Sequence, residues 1–224
     1  NFFQTIFFTG KVSRDANVGF FHALIYYGFI VLWIATDLVA IHYDTPFKVF
    51  QGPVYIIVSF LADFAGLTII TGILLAYKRR YIDRPEKLSA TKPNQEKVMY
   101  AFLLVLVIIG FIIEGVRILG TGMPEGEKMW APVGYSLALL FQSFNLSDGF
   151  WSMSYRSLWM FHMANTMVFV AIIPYSKFFH FFALPFNALI TPKSLSPIMQ
   201  PMDFEDENAE SFGLASISEM SMKN

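Results

Sequence analysis

"LWMFHMANTMVFVAIIPYSKFFHFF", Leu158–Phe182, is apolar for long enough to cross a bilayer, yet it carries two histidines, His162 and His180. A spanning helix needs roughly 20 apolar residues. Eighteen residues separate the imidazoles. On one continuous helix they would leave the same face, about 27 Å apart, close to the thickness of the hydrocarbon core.

The rest of the chain agrees with a membrane reading. Apolar residues make up 55% and aromatics 17% of the 224, well above a soluble domain. Cysteine is absent, which excludes disulfides, cysteine-ligated clusters and thiol catalysis within these residues. A net charge of −1 gives no reason to expect nucleic acid as a partner. The chain opens at Asn1 with neither an initiator methionine nor a signal-peptide pattern, so an upstream segment is expected.

Four stretches are long enough to span: Phe20–Ile41, Val54–Tyr77, Val98–Leu119 and Leu158–Phe178. A fifth apolar run, Pro132–Phe144, is too short and reads as an interfacial helix. The expected fold is therefore all-α, a transmembrane helical bundle of four spans and one interfacial helix. Residues 20–185 form the membrane domain, after a lead-in at 1–19 and before a polar, acidic segment at 186–224 that reads as a linker. Basic residues orient the bundle. They collect in the second loop (Lys78, Arg79, Arg80, Arg84, Lys87, Lys92, Lys97) and in the terminal segments (Lys11, Arg14, Lys177, Lys193, Lys223). The positive-inside rule places these, and both ends of the chain, in the cytoplasm.

In that topology His22 and His180 stand at the cytoplasmic edge of antiparallel spans, at equal depth, as a bundle holds a haem iron from two sides. An isolated interfacial histidine is more often an amphipathic anchor. With His162 in a chain of only four histidines, the haem reading outweighs that alternative.

The stretches "FHALIYYGF", "QGPVYIIVSFLADFAGL", "YKRRYIDRPEKL", "IEGVRI", "WAPVGYSLALLF" and "LWMFHMANTMVFVAIIPYSKFFHFFALPFN" resemble the cytochrome b gamma subunit of respiratory nitrate reductase. They look closer still to membrane iron–sulfur oxidoreductases that fuse this module to a heterodisulfide-reductase-like part. The resemblance implies haem b, with His22 and His180 as the axial pair nearest the cytoplasm and His162 as a ligand of an outer haem. It departs on the first span, where Leu32 stands at the position of the family's second histidine.

His42, in "AIHYDTPF", is the remaining candidate for the outer site. It lies about 30 Å along the axis from His22 but some 200° around it, so the helix would have to bend or end between Asp37 and His42. Two haems are expected; one is the alternative. The resemblance further implies menaquinone or another quinone, an iron–sulfur domain or subunit carrying [4Fe-4S] clusters beyond these residues, and an electron-transfer flavoprotein. The setting it implies is a bacterial or archaeal inner (cytoplasmic) membrane.

Asp37, Asp63 and Glu114 lie inside apolar spans. Each could pass protons to a quinone or make a structural hydrogen bond, and Glu114 can pair with Arg117 three residues on. Gly28, Gly66, Gly72 and Gly110 could admit a flat macrocycle or simply another helix. The functional reading is a module passing electrons between cytoplasmic iron–sulfur centres and quinone. The rivals are a four-helix proton or ion transporter, which would more often show inverted repeats, and a cofactor-free anchor.

Overall fold

The computed structural model describes residues 16–84 and 94–190. Most of the lead-in and nearly all of the linker, as well as Lys87 and Lys92 of the second loop, lie outside the described residues. Four long helices cross: α1 Ala16–Asp44, α2 Gly52–Tyr77, α3 Asn94–Gly120 and α6 Asp148–Ile172. Each is long and apolar enough to span a membrane. A short α4 (Glu127–Trp130) and α5 (Pro132–Gln142) lie between α3 and α6, and α7 (His180–Ile190) follows the last span. Among the described residues there is no strand.

Local chemistry sets the helix ends. α2 opens on Gly-Pro, with Gly52 at a φ of +54° and Pro53 in the first turn, where its missing N–H costs nothing. It closes through a π-helical turn, Lys78–Asp83. α6 starts earlier than its apolar run, because the Ser147 side chain caps it by accepting from the Phe150 N–H at 3.3 Å.

Its far end corrects one expectation. The segment from His162 to His180 is not one continuous helix. α6 gives way at Ile173 to a 3₁₀ turn containing Pro174, Ser176 is extended, and a second 3₁₀ turn leads into α7. A proline cannot continue the hydrogen-bond ladder, and the five-turn geometry between the two histidines fails there.

α3 is the spine. Ile69 and Ile73 of α2 bury against Leu103, Val107 and Phe111 of α3, and Leu106 packs with Phe169 and Ile173 at the end of α6. Close helix approach depends on small residues. A Cβ on Gly28 would meet Ile69 Cγ1 at 2.6 Å, and one on Gly72 would meet the Phe21 carbonyl at 2.9 Å. Gly66 likewise receives the Phe111 ring. Three of the four glycines thus serve helix packing. The outer surface carries large apolar side chains such as Phe60, Phe64, Met160 and Met167, the inverse of a soluble protein.

One end of the bundle is stitched by charge. Glu96 at the start of α3 accepts from Arg80 Nε at 2.8 Å and Lys177 Nζ at 2.6 Å. The basic α2 terminus and the α6–α7 turn therefore lie at the same end.

Candidate electron-transfer site and its polar counterpart

At that end His22 of α1 and His180 at the head of α7 face each other. Their ring centroids are 6.3 Å apart and tilted by 48°. The break after α6 is what brings His180 there. His180 Nδ1 contacts the Lys177 carbonyl. A carbonyl can only accept, so the ring proton is fixed on Nδ1 and the Nε2 lone pair is left free, the orientation that a metal-ligating imidazole takes. His22 Nδ1 is buried without a hydrogen-bond partner. Behind the pair, Phe181 packs on Tyr26, Phe29 and Trp33 of α1, and Phe29 reaches Phe169 of α6.

This donor set fits a haem. Two metal–imidazole bonds of about 2 Å each, plus the reach from nitrogen to ring centre, account for a separation of this size. Among the described residues no group of three or more His, Cys, Asp or Glu could hold a bare metal ion. A haem iron, already held by its macrocycle, needs only axial ligands.

His162 lies on α6 facing α3. A Cβ added to Gly110 would stand 3.8 Å from His162 Cε1, so the fourth glycine of the sequence reading opens onto a histidine. His162 Nδ1 is also buried without a partner. Beside it on α6, a groove of about 650 Å³ is lined by Phe150, Met153, Ser154, Ser157, Leu158 and Phe161.

His42 behaves differently. α1 continues past it to Asp44, so of the two alternatives, a bend or a helix end between Asp37 and His42, the helix end is not there. Its Nδ1 accepts the Phe50 N–H at 3.1 Å, and its ring packs edge-on against Phe50. In a neutral imidazole an accepting Nδ1 puts the proton on Nε2. No ring contact joins His42 to His162 among the described residues.

The end opposite His22 holds a polar cluster that sequence reasoning grasped only in part. Asp37 is exposed on α1, but Asp63 of α2 is 2% exposed. Asp63 Oδ2 accepts the Val133 N–H at 2.7 Å, in the first turn of α5. The N-cap of α5 is Ala131, which has no side-chain acceptor, so Asp63 caps that helix from a neighbouring one. This bears out the structural hydrogen bond as one role for Asp63.

Glu114 of α3 lies beside Asp63 and against Gly134 of α5. Arg117 stands 3.9 Å from Glu114 and 3.3 Å from Glu127 of α4, and Tyr55 of α2 donates its hydroxyl to Glu127. The Glu114–Arg117 pair was legible from its spacing. Tyr55 and Glu127 were missed. The Ala131–Pro132 start of a helix with no cap of its own was a usable signal for the role of Asp63 alone.

The described residues thus form a polytopic helical bundle with two facing imidazoles at one end. The family model described as "Nitrate reductase gamma subunit" matches residues 22–196, a range that includes all four histidines. The chain belongs to that family. Among curated proteins it is 31% identical over 231 residues to "EtfAB:quinone oxidoreductase" of Syntrophomonas wolfei, covering 100% of this chain and 32% of that protein. It is 26% identical over 220 residues to "Probable iron-sulfur-binding oxidoreductase FadF" of Bacillus subtilis, covering 96% of this chain and 30% of that protein. The chain thus spans about a third of the length of these relatives. No solved structure matches.

Proposed function

We propose that this chain is the haem b membrane module of a quinone-linked oxidoreductase, with His22 and His180 as the axial pair of one haem. The observation that carries this reading is the 6.3 Å approach of the two rings, with the His180 proton committed to the Lys177 carbonyl. Bound there, a haem supplies one-electron chemistry. The chain's own residues fix the imidazoles: Tyr26 stacks on His22, and the Lys177 carbonyl holds His180 Nδ1.

A second haem is proposed on His162, with His42 as its partner, and a quinone that reaches it from the lipid along the α6 groove. His42 can ligate only after exchanging its Phe50 hydrogen bond for a proton on Nδ1, and that bond favours the one-haem form as the second reading. The relatives' printed names support iron–sulfur centres and an electron-transfer flavoprotein as the electron source. The Glu96 end is then cytoplasmic, with residues 186–224 leading toward the iron–sulfur part.

The test is a reduced-minus-oxidised visible spectrum of the full-length protein. A b-type band that depends on His22 and His180 is expected. A protein without the band would instead be a transporter or a plain anchor.

A further inference from the structure

Three carboxyls, Asp63, Glu114 and Glu127, meet a single guanidinium, Arg117, in the interior. Tyr55 and Ser59 of α2 complete the polar lining, and α5 contributes its N-terminal backbone. All three carboxylates ionised would leave two uncompensated negative charges inside an apolar bundle, where like charges in contact do not both ionise.

The hydrogen bonds distinguish the three carboxyls, with Asp63 Oδ1 and Glu127 Oε2 both buried and unpartnered. Glu127 is paired with Arg117 and accepts from Tyr55. Asp63 accepts from the first turn of α5, where the helix dipole favours an anion. Glu114 has only the 3.9 Å approach of Arg117, and it lies against Asp63, whose Oδ1 is buried with no donor. A proton on Glu114 gives that orphan atom its partner. Gly134 is what lets the carboxyl in, since a Cβ there would stand 2.8 Å from Glu114 Cδ.

We propose that Asp63 and Glu114 form a buried proton-binding site, holding one proton when the neighbouring His162 site is oxidised and two when it is reduced. Glu114 is one helical turn beyond Gly110, the residue that faces His162. Each electron held at the His162 site adds one negative charge, and one proton taken from water by Asp63 neutralises it. This coupling rests on the proposed redox role of His162. The shared proton itself does not.

Two measurements on the full-length protein in lipid nanodiscs test the two parts separately. The first is infrared spectroscopy of the oxidised protein in water and in deuterium oxide. A carbonyl stretch of a protonated carboxylic acid, shifted by deuterium, is expected in the wild type and in Glu127→Gln, and lost in Glu114→Gln. Its absence from the wild type, or its survival in Glu114→Gln, overturns the shared proton.

The second is a spectroelectrochemical titration at two pH values one unit apart, with the His162 component identified by its loss in His162→Ala. Its midpoint should fall by about 59 mV for the tenfold drop in proton concentration, one proton per electron, and stay level in Asp63→Asn, which cannot take up that proton. A level midpoint in the wild type overturns the coupling. If His162→Ala removes no redox component, the electron-transfer role of His162 fails, and the infrared result alone decides the proton site.

Discussion

At the His22 end two imidazoles face each other in front of an aromatic wall, whereas the opposite end closes three carboxyls around one guanidinium and a helix N-terminus. The difference lies in how each end satisfies its polar atoms. At the Glu114 end Val133 N–H, Arg117 and Tyr55 satisfy part of the polar capacity within the protein, and two carboxyl oxygens, Asp63 Oδ1 and Glu127 Oε2, are left over. At the His22 end the His180 proton is settled but the Nε2 lone pair and His22 Nδ1 are left over. A carboxyl oxygen left over beside another carboxyl calls for a shared proton, as proposed for Asp63 and Glu114. Ring nitrogens left over call for a partner from outside the chain, as proposed for His22 and His180.

The sharpest way to break this contrast is at the first end. His22→Ala and His180→Ala should each remove the same haem completely, read from the b-type absorbance per protein, while the fold stays intact by circular dichroism. Retention of full haem content in either variant would end the pairing. Next in size, His162→Ala should remove the remaining haem. The matched His42→Ala decides between the two readings: loss of the same haem makes His42 its partner, and unchanged content establishes the one-haem form or a different ligand.

At the second end the effects are on stability. Asp63→Ala removes the acceptor for Val133 N–H and leaves the α5 terminus uncapped, so thermal unfolding in detergent should show a loss of about 2–3 kcal/mol. Asp63→Asn, which keeps an acceptor, should lose clearly less. Gly134→Ala drives a Cβ to within 2.6 Å of Glu114 Cγ and should cost about 1–2 kcal/mol. The smallest effect is expected back at the His22 end, at Glu96→Gln. It breaks ion pairs to Arg80 and the half-exposed Lys177, so the loss should stay within about 1 kcal/mol and shrink as salt is raised.

The bundle itself was legible from the sequence because a bilayer demands about 20 apolar residues per helix, a signal that needs no knowledge of partners. Observed spans overlap the four expected ones, with ends moved by local caps such as Ser147 and the Pro174 break. His22 and His180 could be matched in depth because both follow from helix count and direction. The inference from eighteen-residue spacing was unsound, since it assumed a helix that Pro174 interrupts.

What the sequence determined by itself was the local and the one-dimensional: four spans, the basic loop, four histidines and no cysteine. Tertiary structure alone decided which side chains meet. It turned His42 onto Phe50, laid Gly110 open to His162, and carried Asp63 across to cap a helix beginning 69 positions later at Pro132. The physical reason is that a buried polar atom takes whatever partner packing brings within about 3 Å, and that choice is made by helix crossings rather than by spacing along the chain.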